Sequence, residues 1–80
     1  MTLQKVSEHE LVMKKDLTEN ELKERLETYF DNEEISKIIN FVNSMNCWTD
    51  GNIAIIRYEL NKESTFVIVA NKNFIELIKP

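Results

Sequence analysis

The amino-acid sequence predicts an α+β fold in which two consecutive helices pack on a small antiparallel β-hairpin sheet. Three observations predict it. Residues 17–46 carry apolar side chains at helical spacing in two successive segments, residues 53–60 and 65–71 are rich in β-branched and aromatic side chains, and a polar stretch separates these two runs. Helices followed by an antiparallel hairpin are typical of the α+β class.

The N-terminal residues carry weaker signals. Residues 1–10 mix polar and apolar side chains, and no structure is predicted for them. Leu11, Val12 and Met13 form a short apolar run. Residues 11–16 are therefore expected to form either an edge strand, which would make the sheet three-stranded, or an ordered arm on the core.

A helix-start motif occurs twice in residues 17–46. Thr18 and Glu21 have the spacing of a capping box, in which each side chain bonds to the backbone N–H of the other residue, and Asp31 and Glu34 repeat it. We expect one helix to begin after Thr18 and a second after Asp31, with a tight corner between them. Apolar residues flank each cap at the spacing of a hydrophobic staple, namely Leu17 with Leu22 and Phe30 with Ile35.

The second half of the chain predicts a hairpin and a short C-terminal helix. If Leu60 pairs with Thr65 across a four-residue NKES loop, both faces of the hairpin are largely apolar and each needs a cover. The helical pair covers one face. Asn73 and Glu76 have capping-box spacing, which predicts a helix of about two turns over the other face, with a second copy or a partner protein as the alternative. In this register one face carries Ala54, Ile56, Tyr58, Leu60, Val67 and Val69, and the other carries Ile53, Ile55, Phe66, Ile68 and Ala70.

The composition is that of one globular domain, residues 1–80. Hydrophobic residues make up 42% and charged residues 30%, and no apolar run approaches the roughly 20 residues that a membrane-spanning helix needs. The N-terminal residues lack the apolar segment of a secretory signal, and a single cysteine cannot form an internal disulfide. These features predict a cytoplasmic protein.

Acidic residues concentrate on the two predicted helices. Residues 17–34 hold seven acids and two basic residues, so they account for the whole formal net charge of −4. Many of these acids are explained by a solvated helix face. The functional interpretation is an acidic surface that docks on a basic site of another protein. The predicted partner-binding residues are Glu24, Glu27, Asp31, Glu33, Glu34 and, as an anchor beside a turn, Trp48.

The same acids exclude direct binding to nucleic acid. The second helix would open with Asp31, Asn32, Glu33 and Glu34, which phosphate repels. We also expect no enzymatic activity, no cofactor and no metal. His9 has no second histidine to complete a metal site, and Cys47 has no base at recognisable spacing.

The sequence therefore predicts a small acidic inhibitor or regulator that binds a protein with a basic surface. A phage-encoded anti-CRISPR or anti-restriction protein, which blocks the nucleic-acid-binding site of a host nuclease, would have these properties. The alternatives are an immunity protein or antitoxin that neutralises a cognate toxin, and a homodimeric structural or regulatory domain joined through the sheet. A small enzyme that uses Cys47 or the carboxylates is the remaining alternative.

Overall fold

A four-stranded antiparallel sheet carries two helices on one face. The computed structural model describes residues 9–79, except for the side chains at positions 60 and 61. The strand order is β1-β4-β3-β2, and every neighbouring pair is antiparallel. This confirms the α+β class. The elements in chain order are β1 (His9–Met13), α1 (Glu19–Leu26), α2 (Asn32–Ser44), β2 (Ala54–Asn61), β3 (Ser64–Asn71) and β4 (Phe74–Ile78).

The N-terminal strand lies at one edge of the sheet and overlaps the strand expected over residues 11–16. It begins at His9, two residues earlier, and ends at Met13. The chain then turns through Asp16, whose φ of 58° lies in the left-handed region. Residues 1–8, for which the sequence predicts no structure, lie outside the described part of the chain.

Only one of the two predicted capping boxes is formed. Asp31 caps α2 as expected, with the Glu34 amide donating to Asp31 Oδ1 at 2.9 Å and the Asp31 amide donating to Glu34 Oε1 at 3.1 Å. Thr18 precedes α1 without any side-chain cap hydrogen bond. The Glu21 carboxylate instead meets Lys14 Nζ at 3.0 Å, because a charge-assisted bond is stronger than one to a neutral backbone amide.

The predicted C-terminal helix is wrong, because residues 74–78 form the strand β4. A two-residue turn at Lys72–Asn73 joins it to β3, with the Asn73 amide donating to Asn71 Oδ1 at 2.7 Å. The segment FIELI alternates as a strand does, with Ile75 and Leu77 buried. Pairing with β1 on one side and β3 on the other satisfies its backbone groups.

The register of the β2–β3 hairpin is one residue away from the predicted one. Glu59, rather than Leu60, lies opposite Thr65, and a two-residue turn at Lys62–Glu63 replaces the four-residue loop. A shift of one residue moves the side chains of one strand to the other face. The residues of the hairpin on the helix-covered face are therefore Ala54, Ile56, Tyr58, Phe66, Ile68 and Ala70.

One hydrophobic core lies between the helices and this face of the sheet. It includes both predicted staples, since Leu17, Leu22, Phe30 and Ile35 are all buried in it. The opposite face of the sheet has no cover in the described residues. No helix within residues 9–79 is long and apolar enough to cross a membrane.

Candidate protein-binding surface

Five of the six predicted partner-binding residues lie in the connection between α1 and α2 or in the helix turns on either side of it. The helix α1 ends at Leu26, the buried side chain of Phe30 turns inward, and Asp31 caps α2. The carboxylates therefore occupy the last turn of one helix, the connection, and the first turn of the next. We term this surface the acidic corner, and it consists of Glu24, Glu27, Asp31, Glu33 and Glu34.

Aromatic packing fixes the acidic corner on the sheet. The ring of Phe30 lies 4.9 Å from the ring of Phe66 and 5.2 Å from that of Tyr58, measured between centroids. The ring of Tyr29 lies 5.6 Å from that of Phe66. Aromatic pairs at these separations add to the energy of burial. The backbone that carries the carboxylates is therefore tied to β2 and β3.

Two of the five carboxylates are held in fixed positions by neutral donors. The capping box orients Asp31 and Glu34, and the Tyr58 hydroxyl donates to Glu34 Oε2 at 3.2 Å. Neutral donors leave the negative charge in place, and the positive end of the α2 dipole favours it there. Asp31 and Glu34 are thus ordered anions.

The other three carboxylates are exposed and have no cation beside them. Within residues 9–79, no ion pair involves Glu24, Glu27 or Glu33. Glu33 and Lys37 have the i,i+4 spacing of an ion pair on α2 but do not form one. Arg25 belongs to the same stretch of chain, but its guanidinium approaches acids outside the corner. The corner therefore keeps its full negative charge.

Three cations, Lys14, Arg25 and Lys79, are engaged on the side of α1 that faces β1. Arg25 lies 3.4 Å from Glu10 and 3.7 Å from Glu21. Lys79 lies 3.7 Å from Glu10, and Lys14 donates to Glu21. The hydrogen bond from Lys14 is the main cause that lowers the pKa of Glu21. The acids near β1 are thus neutralised by the protein itself, whereas those of the acidic corner are not.

The potential of the acidic corner reaches the sheet beneath it. Burial is the main cause that raises the pKa of Tyr58, and the hydrogen bond to Glu34 raises it further. The charges of Glu34, Asp31 and Glu33 act in the same direction. The phenol therefore remains a neutral donor to Glu34 at neutral pH.

Trp48, the sixth predicted residue, lies elsewhere. It follows the C-terminal end of α2, and its indole N–H donates to Asn43 Oδ1 at 3.0 Å. The 13 residues of α2 separate it from Asp31 by about 18 Å at the rise of an α-helix. The ring is half-buried against the core. The structure therefore does not bring Trp48 to the acidic corner.

Sequence reasoning missed a polar groove between the two helices, which is lined by Asn32, the residue between Asp31 and Glu33 in sequence. Its volume is about 480 Å³. The signal for it is the recurrence of the short polar residues Asn32, Ser36 and Asn40 at every fourth position of α2, which places them on one stripe of the helix. The groove offers hydrogen-bond donors and acceptors, and none of the five residues of the acidic corner is among those that line it. Its lining residues are Glu19, Lys23, Asn32, Ile35, Ser36, Ile39, Asn40 and Asn43.

The two residues considered for chemistry lie at opposite ends of the sheet. His9 lies opposite Ile78 and contacts Glu76, whereas the Cys47 carbonyl accepts from Lys72, which precedes β4. The length of β4, about 17 Å, separates them. Cys47 is fully buried, and burial raises the pKa of its thiol. Within residues 9–79, no group of three His, Cys, Asp or Glu side chains is placed to hold a metal ion.

Comparisons of the chain with protein-family models, with curated proteins and with solved structures return no match.

Proposed function

We propose that the protein binds another protein through the acidic corner and thereby inhibits or regulates it. The observation that supports this function is the distribution of ion pairs. Acids near β1 are paired with Lys14, Arg25 and Lys79, whereas no ion pair among the described residues involves the five carboxylates of the acidic corner. A soluble fold gains nothing from leaving like charges crowded together, since they repel each other.

The partner has a basic surface, and a site that otherwise holds nucleic acid fits best. Such sites carry lysine and arginine side chains spaced to contact phosphates. Carboxylates ordered by the capping box can accept hydrogen bonds from the same lysine and arginine side chains, and one arginine can donate to both oxygens of a carboxylate at once. The ring contacts beneath the acidic corner tie its backbone to the sheet, so little backbone conformational entropy is lost on binding.

Opposite charges on the two proteins would accelerate their encounter. Electrostatic steering raises association rates and weakens as salt is added. The polar groove between α1 and α2 would then hold side chains of the partner beside the acidic corner. Binding at this surface would exclude nucleic acid from the site on the partner.

A nuclease is the class of partner protein best suited to inhibition by a protein that competes with nucleic acid for its binding site. In that setting the protein would act in the cytoplasm as a phage-encoded anti-CRISPR or anti-restriction protein. An immunity protein or antitoxin would use the same acidic corner against a toxin with a basic active site.

The test compares two variants that remove the same amount of charge. Glu24→Gln with Glu27→Gln removes two negative charges from the acidic corner. Asp16→Asn with Asp50→Asn removes two exposed negative charges elsewhere, and asparagine tolerates the left-handed backbone at position 16. Wild type and both variants are used as baits in host-cell lysate at low and at physiological salt, and captured proteins are assayed for binding of nucleic acid.

We expect wild type and Asp16→Asn/Asp50→Asn to retain the same protein from the lysate. Glu24→Gln/Glu27→Gln should capture that protein about tenfold more weakly at low salt. Wild type should compete with nucleic acid for that protein. Equal capture by all three baits, or capture without competition, would contradict the proposed function. Far-ultraviolet circular dichroism checks that the variants are folded.

A further inference from the structure

The strand β2 is a long edge of the sheet that nothing in the described part of the chain covers. Its eight residues pair with β3 on one side only. The opposite edge, β1, has five residues. Natural proteins protect edge strands with prolines, charged side chains, β-bulges, very short strands or a covering element. β2 contains no proline, its irregularity lies at its C-terminal end between Glu59 and Asn61, and its charged residues Arg57 and Glu59 are of opposite sign, so they can pair with those of another strand.

An apolar groove runs beside this edge. It lies between α2 and β2 and has a volume of about 330 Å³. Ile38 and Phe41 line it from the helix, and Ile56 and Tyr58 line it from the strand. Phe41 is 45% exposed there. A strand added to β2 directs alternate side chains toward the helical layer and therefore into this groove.

We propose that β2 pairs antiparallel with β2 of a second copy, about a two-fold axis through Tyr58, so that two four-stranded sheets form one continuous sheet. The pairing does not depend on the proposed function. A two-fold axis perpendicular to the sheet relates the two strands, because only this axis makes identical edges antiparallel. It keeps the helices of both copies on the same side.

The charges on β2 select the register of this pairing. Such an axis places one residue opposite its own counterpart. Centred on Arg57 the pairing sets two arginines against each other, and centred on Glu59 it sets two glutamates against each other. Centred on Tyr58, each Arg57 lies opposite Glu59 of the other copy, twice per dimer. Both side chains are exposed on the same face, and directly opposite charges stabilise antiparallel pairs whereas like charges destabilise them.

The pairing would also bring two acidic corners together. Tyr58 donates to Glu34, so the corners of the two copies flank the two-fold axis. Their repulsion opposes dimerisation at low salt and is largely screened at physiological ionic strength. If the proposed function also holds, the dimer presents one acidic surface of twice the charge.

Sedimentation equilibrium at physiological ionic strength tests the pairing. We expect the mass of wild type to rise from 9.5 kDa toward twice that value as concentration increases. Arg57→Glu and Glu59→Arg should each raise the dissociation constant about tenfold or more, because two attractive pairs become repulsive. The double variant Arg57→Glu/Glu59→Arg restores opposite charges and should return the constant to within about threefold of wild type.

Three results would overturn the proposal: a monomer at every concentration up to the millimolar range, a dimer that Arg57→Glu does not weaken, or no recovery in the double variant. A dimer broken by Ile55→Glu but not by Arg57→Glu would place the contact on the uncovered sheet face instead. Glu24→Gln/Glu27→Gln should not weaken dimerisation, so failure of the pairing and failure of the proposed function are separable. Circular dichroism confirms that each variant is folded.

Discussion

Cys47 shows how burial sets the chemistry of a single side chain. The thiol lies in the core, and burial disfavours the thiolate more than a hydrogen bond from the backbone of Ala54 favours it. The thiolate is the reactive form of cysteine. A raised pKa together with full burial therefore makes this thiol an inert part of the core.

The pKa of the Cys47 thiol predicts a loss of stability in alkali. Below the ordinary pKa of 9.0 the thiol is neutral in both the folded and the unfolded chain, so its contribution to the free energy of unfolding is fully present. Above it the unfolded chain ionises first, so the free energy of unfolding falls as pH rises toward the folded pKa. Urea titrations at about pH 8 and about pH 10 should show a larger loss for wild type than for Cys47→Ala.

Thiol labelling gives an independent readout of the same burial. Ellman's reagent should react with the native protein only as fast as the chain opens, and at once in denaturant. Equal rates under the two conditions would contradict the buried position of Cys47.

At the scale of elements, the two helix starts differ although their sequences suggest the same motif. The Asp31 side chain accepts a hydrogen bond from the Glu34 amide, whereas the Thr18 side chain accepts no cap hydrogen bond. The first box does not form because the Glu21 amide donates to the backbone carbonyl of Thr18 at 3.1 Å, while Lys14 takes the Glu21 carboxylate. Spacing along the chain does not reveal such a competitor when it comes from an earlier segment.

Substitution of the two caps should therefore have unequal effects. Asp31→Ala should lower the free energy of unfolding by about 1 kcal/mol, because a helix start loses its side-chain acceptor. Thr18→Ala should change it by only a few tenths of a kcal/mol. Chemical denaturation measures both. Asp31→Asn keeps an acceptor without the charge, so it separates stability from partner binding. Equal losses for Asp31→Ala and Thr18→Ala would contradict the observed caps.

The sequence predicts the elements with strong local signals and misses those that depend on distant partners. The helices and the hairpin strands lie within a few residues of their expected bounds, because apolar periodicity is a local property. FIELI fits a helix or a strand equally well, and only pairing with β1 and β3 decides between them. The hairpin register likewise depends on the turn at Lys62–Glu63, which carries no glycine to mark it.

The acidic corner was largely predictable for the same reason. Its residues are close in sequence, and within the described part of the chain no ion pair involves Glu24 or Glu27. Trp48 is predicted as an anchor because it lies beside a turn, and a turn carries no information about the distance from Trp48 to the other residues. The pairing of Glu19 was also missed, because its partner Asn43 belongs to the other helix.

At the scale of the whole molecule, the two faces of the sheet differ. The helices bury the centre of one face, with Ile68 at 0% exposure, whereas Ile55 on the other face is 63% exposed. An antiparallel sheet open to water is usually polar on that side. Here the open face also carries Leu11, Met13, Val67, Val69, Phe74 and Ile78.

Two substitutions to glutamate should distinguish the faces. Ile68→Glu should unfold the protein, because an unpaired carboxylate in the core costs several kcal/mol, a large part of the stability of a small domain. Ile55→Glu should leave the fold intact. Thermal unfolding followed by circular dichroism measures both. The sequence-based register placed these two residues on the same face, and similar effects of the two substitutions would support that register over the observed one.

The position of β4 has a consequence for how a newly synthesised chain acquires its shape. Among the strands that the structure describes, β1 pairs with β4 alone, so His9 can pair with Ile78 only once that residue has left the ribosome. Both helices and the β2–β3 hairpin can form earlier, from contacts local in the sequence. Until β4 is synthesised, β1 lacks the strand with which it pairs. The apolar residues of β1 must therefore be kept from aggregating with other proteins during that time.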